Sequence, residues 1–244
     1  MKTPLWIALA FLALTVLTAC GSTPASSDSA ALDVVHLQTT EALAHWLPQA
    51  ADCAGTIPNL GIASEIIAPD ALSLGSADLV LRLGARRPED PFTAVMGRES
   101  LVLVVGDQVP LSSLSGESLK SLYAGDWASW SDVPEAGDVG NLPIVLLSYP
   151  TGHELETLFS QTYLEGLPIL GGPQEYASPN GLAELLNANP TAIGYTLGSL
   201  IPIGYRTVPV TGTATEPIFY VLAVTPEEPT GGLRQLLLCL QNAE

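Results

Sequence analysis

Two short polar segments combine residue types that can hold a small anion, and each stands between an apolar stretch and an amphipathic one. Threonine hydroxyls and the backbone N–H groups at a helix start donate hydrogen bonds to oxyanions, and glycine allows close backbone approach. A histidine there can also donate, with a charge that changes near neutral pH. The same residues could instead only cap helices, and the histidine could be exposed to solvent. The candidates are Thr39 and Thr40 in the first segment and Thr151, Gly152 and His153 in the second.

The elements that position these segments are predicted strands and helices that alternate along the chain. Continuous apolar runs predict strands, and apolar residues at helical spacing predict the helices between them. Strands over 32–37, 60–63, 78–83, 101–105, 142–147, 192–195 and 217–224 are expected. This alternation indicates an α/β fold with largely parallel sheets, in which ligands bind beyond the carboxyl ends of strands.

Helix starts can be placed from their capping residues. Ser115 and Ser178 are predicted N-caps, and Pro179 suits the first helical position. Thr151 is followed three residues later by Glu154, which is the spacing of a capping box and predicts Thr151 as the N-cap of its helix.

The charge balance limits the classes of partner and reaction. The sequence has 25 acidic and 8 basic residues, a net charge of −17, which argues against nucleic acid and anionic lipid surfaces. A small anion is not excluded, because backbone N–H groups can hold one without net positive charge. The three histidines, His36, His45 and His153, lack metal-ligand spacing. No nucleophile is paired with a base, so neither an enzyme nor a cofactor is predicted.

The N-terminus reads as a secretory signal. Lys2 precedes an apolar run over 5–17, and the small residues Thr18 and Ala19 lead to Cys20. This arrangement resembles the lipobox of bacterial lipoproteins, which implies removal of residues 1–19 and lipid attachment at Cys20 outside the cytoplasmic membrane. An ordinary signal peptide with an incidental cysteine, or an uncleaved anchor, is the alternative. Residues 20–31 are small and polar, and they are expected to form a flexible tether.

The two remaining cysteines, Cys53 and Cys239, form an even pair in a chain expected to be exported. An oxidising compartment favours a disulfide between them over two buried free thiols.

One segment carries a family resemblance. Residues 114–133 contain Tyr123-Ala124-Gly125 and then Trp130-Ser131-Asp132-Val133, and residues 75–79 and 189–195 agree with the same pattern in order and spacing. This pattern resembles the phosphate-binding proteins of bacterial ABC transporters. The resemblance implies a type 2 periplasmic-binding-protein fold of two α/β lobes with mixed, largely parallel sheets. Lobe 1 would comprise 32–105 and 207–244, lobe 2 would comprise 106–206, and the ligand would lie between them.

The resemblance also bears on single residues. Asp78 stands where the relatives use an aspartate to accept a ligand proton, although it could only cap a turn; Ser64 is a weaker candidate. The arginine that usually precedes the second-lobe ligand loop is missing from residues 146–153, which removes a bidentate partner for an oxyanion. Arginines elsewhere could replace it or could only form surface ion pairs. These are Arg82, Arg86, Arg87 and Arg98.

Together these observations predict a monomeric, lipid-anchored, extracytoplasmic solute-binding lipoprotein that captures a small, phosphate-like anion for an ABC permease. The alternative is a ligand-binding or sensor lipoprotein, without a transport role, that kept the scaffold but lost phosphate specificity. The altered ligand segments favour this alternative.

Overall fold

The structure is a computed structural model and describes residues 32–138, 141–212 and 217–242. The expected signal peptide (1–19), tether (20–31) and lipidation site Cys20 lie outside the described residues. Within the described ranges, no helix has both the length and the apolar character needed to cross a membrane.

Strands and helices alternate over most of the chain. The strands are β1 (Asp33–Thr39), β2 (Leu60–Ile66), β3 (Leu79–Leu83), β4 (Phe92–Val105), β5 (Leu114–Ser115), β6 (Val145–Ser148), β7 (Gln174–Glu175), β8 (Ala192–Leu197), β9 (Arg206–Val208), β10 (Val210–Thr211) and β11 (Ile218–Thr225). The α-helices are α1 (Leu47–Gly55), α2 (Gly116–Ala124), α3 (Glu154–Tyr163), α4 (Pro179–Ala188) and α5 (Gly231–Asn242). Short 3₁₀ helices include Glu41–Trp46 and Gly198–Leu200.

The main sheet is mixed, and the long strand β4 is its centre. The strand order is β2-β1-β3-β11-β4-β8-β6-β7, with β9 also pairing with β4. β1 runs parallel to β2 and β3, and β6 runs parallel to β7 and β8, whereas β11 and β8 run antiparallel to β4. The α/β fold class expected from the sequence is confirmed, with mixed pairing. The lobe boundaries stay a prediction.

β4 changes partners partway along its length. Its first part pairs with β11 up to Ser100, and its second part pairs with β8 from Leu101 onward. β1, β2 and β3 therefore lie on one side of β4, and β6 and β7 lie on the other. The strands before the two polar segments, β1 and β6, consequently belong to opposite halves of the sheet.

Aromatic side chains fill the core on the β6 side. The rings of Phe159 and Tyr195 stack with centroids 3.8 Å apart, and Tyr123 meets Phe159 edge-on at 4.8 Å. All three side chains are fully buried. Burial of one large apolar side chain stabilises a fold by about 1.5–3 kcal/mol, so this cluster fixes α3 against β8.

Two of the three predicted helix caps are confirmed. Ser115 Oγ accepts the Ser118 N–H at 3.1 Å, and Ser178 Oγ accepts the Gly181 N–H at 3.2 Å. The prediction of Thr151 as N-cap is wrong, because α3 has His153 as its N-cap. Gly152 has a positive φ of 86° and forms a turn, and this turn delays the helix start by two residues.

A disulfide links the two ends of the folded region. The Cα atoms of Cys53 in α1 and Cys239 in α5 lie 5.8 Å apart, and the two Sγ atoms are bonded across a sequence separation of 186 residues. The loop that this bond closes spans most of the described chain. In the chain-entropy account, such a loop constrains the unfolded state strongly.

Replacing both Cys53 and Cys239 with serine should therefore lower the free energy of unfolding by about 2–5 kcal/mol. Urea denaturation of the oxidised protein and of the double variant measures this difference. Reductant should shift the unfolding curve of the wild type toward that of the variant and leave the variant unchanged. A wild-type curve insensitive to reductant would contradict the prediction.

Candidate functional site

A cavity of about 310 Å³ brings the two polar segments together at the carboxyl ends of β1 and β6. Thr40 follows β1, and Gly152 and His153 lie between β6 and α3. The remaining wall combines two carboxyl side chains with apolar ones. It consists of Glu41, Ala42, Ile66, Ile67, Ala68, Pro69 and Glu154.

Thr40 and Glu154 are in direct contact across this cavity. The Thr40 hydroxyl donates to Glu154 Oε2 at 2.5 Å, between residues 114 positions apart in the sequence. Thr40 is buried and Glu154 is half-buried. The hydroxyl expected to donate to a ligand therefore already donates to a carboxyl group of the chain itself.

Burial raises the pKa of Glu154 above its ordinary value, while the Thr40 hydrogen bond and the charges of Arg82 and Arg87 act in the opposite direction. Arg82 is buried, and its guanidinium pairs with Asp90 and donates to the Ala85 carbonyl at 2.9 Å. Arg87 is exposed. Arg82 thus acts on Glu154 through its electrostatic field, because its hydrogen bonds go to Leu83 at the end of β3 and to the loop that follows.

His153 presents an unpartnered donor near the cavity. Its Nδ1 accepts the Leu155 N–H at 3.1 Å, so the proton of the neutral ring lies on Nε2. Nε2 is buried and has no hydrogen-bond partner among the described residues. The ring stacks on Tyr149 with centroids 4.3 Å apart. Burial lowers the pKa of the imidazole, which favours this neutral form.

The other expected donors of these segments are engaged or turned elsewhere. The Gly152 N–H donates to Glu156 Oε2 at 3.2 Å, and Thr39 Oγ1 donates to the Leu81 carbonyl at 3.2 Å. Thr151 is exposed and does not line the cavity. Of the side chains expected in this cavity, only those of Thr40 and His153 reach its wall in the described structure.

Asp78 and Ser64 lie away from this cavity. Asp78 stands just before β3, where its Oδ2 accepts the His36 N–H at 2.9 Å, and it lines a separate cavity of about 280 Å³. Ser64 lies on the edge strand β2 with an exposed side chain. Ligand roles for these two residues remain sequence predictions.

Sequence reasoning missed Glu154 as part of the site. Its position three residues after Thr151 suggested a capping role, and the turn at Gly152 turns its carboxyl group toward Thr40 instead. Its position in the sequence could have indicated this role, because Glu154 is an acidic residue at the start of a helix that closely follows a strand.

Sequence reasoning also treated His45 as isolated, yet His45 Nε2 lies 3.1 Å from Glu99 Oε1, which also accepts from Ser199 Oγ at 2.7 Å.

Two larger cavities of the described chain offer less convergent chemistry. A cavity of about 490 Å³ near β9 is lined mainly by apolar residues. Another of about 560 Å³ includes Arg206, whose guanidinium already donates to the carbonyls of Leu111 and Val109. In the described ranges, no group of three or more His, Cys, Asp or Glu side chains could hold a metal ion.

Comparison with solved structures shows the same fold in phosphate-transport receptors and in OxyR. A Clostridium perfringens protein described as a phosphate ABC transporter substrate-binding protein, with phosphate bound, has 17% identity, a TM-score of 0.67, and coverage of 85% of this chain and 93% of its own. An ABC-type phosphate transport receptor from Vibrio cholerae has 14% identity, a TM-score of 0.66, and coverage of 86% and 94%. A reduced form of OxyR from N. meningitidis has 14% identity, a TM-score of 0.61, and coverage of 87% and 96%.

Sequence comparisons add no closer relative, since no family model and no curated protein matches the chain. At these identities the structural likeness shows the fold alone. The chain therefore has the fold that these phosphate-binding receptors share with OxyR regulatory domains.

Substituting Thr40 by valine should destabilise the protein by about 1–3 kcal/mol at neutral pH, because a half-buried carboxylate loses its donor. The loss should shrink as pH falls through the pKa of Glu154, since the neutral carboxyl group costs less to leave unpaired. Thr39→Val is the matched control: its hydroxyl donates to a carbonyl, so its cost should not change with pH. Urea denaturation at several pH values measures the stability loss of both variants. An equal pH dependence in the two would contradict the assignment of Glu154 as the acceptor of the Thr40 hydrogen bond.

Proposed function

We propose that this chain is an extracytoplasmic solute-binding lipoprotein that holds a small oxyanion in the cavity at Thr40 and His153. The observation that carries the proposal is the meeting of the two polar segments at one cavity, from opposite halves of the sheet. Ligands of α/β proteins bind at the carboxyl ends of such strands. The shared fold with phosphate-transport receptors supports a receptor role.

The donors at the cavity suit an acceptor-rich solute. His153 Nε2–H is buried without a partner, and an unsatisfied buried donor is costly unless a ligand or water accepts from it. Thr40 Oγ1 is the second donor, once Glu154 releases it. An oxyanion that accepts from both would join residues from both halves of the sheet.

Delivery to an ABC permease completes the proposed transport role. Solute-binding proteins of this kind close two lobes around a ligand, and the partner of the closed form would be the permease. The acidic surface, with a net charge of −17, keeps such a carrier soluble beside the membrane. Lipid attachment at Cys20 and a monomeric state belong to the same proposal.

A second candidate is a binding or sensor lipoprotein without a transport role. Two observations favour it: residues 146–153 lack an arginine, and Glu154 already engages Thr40. A protein that has changed its ligand would show both features. The likeness to OxyR regulatory domains shows that the fold also occurs outside transport receptors.

Titration with phosphate, sulfate, molybdate and small organic anions should reveal at least one ligand by calorimetry. At a hundredfold excess of that anion over its Kd, the free energy of unfolding should rise by about 2.7 kcal/mol.

His153→Ala should weaken anion binding at least ~10-fold, because the anion loses a hydrogen bond from the neutral imidazole N–H. The exposed His36 provides the matched control, and His36→Ala should bind as the wild type does. No heat and no thermal shift across the panel would refute an anion receptor.

Lipid attachment has its own test. Expression in a bacterial host with a radiolabelled fatty acid should label the wild type and place it in the membrane fraction. Cys20→Ser should abolish the label and release the chain from that fraction. Labelling that persists in the variant would contradict acylation at Cys20, and it would leave the solute-binding proposal intact.

A further inference from the structure

The contact between Thr40 and Glu154 places a carboxyl group where an anionic solute would accept its hydrogen bond. Thr40 Oγ1 donates to Glu154 Oε2 at 2.5 Å, and both residues line the same cavity. A hydroxyl has a single proton to donate, so it cannot serve Glu154 and a solute at once. The carboxyl group and a bound oxyanion are therefore competitors for one donor.

We propose that Glu154 determines the specificity of the cavity by occupying the place on Thr40 that an oxyanion would take, so that an oxyanion binds only when Glu154 is neutral. This inference rests on the proposed function. It extends that function by stating which charge state of the protein accepts the solute. It also assigns a role to a residue that the sequence alone suggested only as a helix-capping partner.

Electrostatic repulsion between the ionised Glu154 carboxylate and the anion sets how strongly the affinity should depend on the charge of Glu154. Like charges about 4 Å apart near a protein surface repel by an amount equivalent to about a thousandfold in binding. Protonation removes that repulsion and gives Glu154 an O–H that can donate to the oxyanion, beside the Nε2–H of His153. Each anion bound then brings one proton from solvent onto the Glu154 carboxyl group, and Thr40 is free to donate to the anion.

The charged neighbours of Glu154 are few and come from separate elements. Glu41 of the 3₁₀ helix after β1 adds negative charge to the cavity wall. Arg82 of β3 and Arg87 of the following loop act on Glu154 from a distance, and Arg82 is already paired with Asp90. His153 precedes Glu154 and is driven toward its neutral form by burial. Burial likewise favours neutral Glu154, in agreement with the geometric argument.

The test is a sulfate titration of the full-length chain in detergent, by calorimetry, from about pH 5 to about pH 8. Sulfate remains a dianion over this range, so any pH dependence belongs to the protein. Wild-type affinity should fall as pH rises, approaching tenfold per pH unit above the pKa of Glu154. Glu154→Gln should bind sulfate at least ~10-fold tighter than the wild type at the highest pH and lose most of this dependence.

Glu117→Gln is the matched control, because Glu117 lies in the first turn of α2 as the half-buried Glu154 lies in the first turn of α3, but the Glu117 side chain is exposed. It changes net charge equally and should follow the wild type. His153→Gln keeps an amide donor without a titrating ring, so pH dependence that survives in it belongs to Glu154. Circular dichroism and thermal melting show whether each variant is folded.

A second measurement needs no variant. Titration of the wild type in two buffers of different ionisation enthalpy should show an uptake of about one proton per sulfate at the highest pH. No uptake, or Glu154→Gln with wild-type affinity and pH dependence, would overturn the inference and leave the receptor proposal standing. No sulfate or other anion bound by either protein at any pH would overturn the receptor proposal as well.

Discussion

One continuous strand, β4, joins both halves of the sheet through backbone hydrogen bonds, and the two strands that precede the polar segments lie on its opposite sides. β11 pairs with it up to Ser100 and β8 from Leu101. Glu99, at this change of partner, is buried and accepts from Ser199 at 2.7 Å, while His45 lies 3.1 Å away. Burial raises the pKa of Glu99, but the hydrogen bonds from His45 and Ser199 outweigh it, so the net shift is downward and the carboxylate stays ionised. This buried charge, satisfied from two other elements, fixes the junction between the halves.

The same arrangement explains how residues 114 positions apart meet at Thr40 and Glu154. β1 and β6 lie on opposite sides of β4, and the cavity wall combines residues from the segments that follow both strands. The cavity forms where the segments after them approach, with Thr40 on one side and the turn at Gly152 on the other. The positive φ at Gly152 is a local requirement with a distant effect, because it sets which residue caps α3 and where Glu154 points.

Local patterns predicted seven of the eleven strands in the described ranges, the α/β class and the serine caps, because apolar periodicity and capping chemistry are properties of neighbouring residues. They missed residues 92–100 of β4 and the short strands β5, β7, β9 and β10. They failed at Thr151, where tertiary geometry moved the helix start to His153. They also brought Thr40 and His153 into one set of candidates, although nothing local could show that Glu154 would accept the hydrogen bond of the Thr40 hydroxyl. The cluster at Glu99 was equally hidden, since its members come from three separate elements.

An arginine and a protonatable acid hold an oxyanion in different ways. A guanidinium is charged at every physiological pH and supplies two donors, so affinity hardly depends on pH. The chain lacks an arginine in residues 146–153 and has Glu154 on the cavity wall instead. The missing arginine and the presence of Glu154 both lower the affinity for a fully ionised anion. In the proposed role, the chain would gain affinity for an anion from protons rather than from fixed cations, which is consistent with a sequence whose acids outnumber its bases.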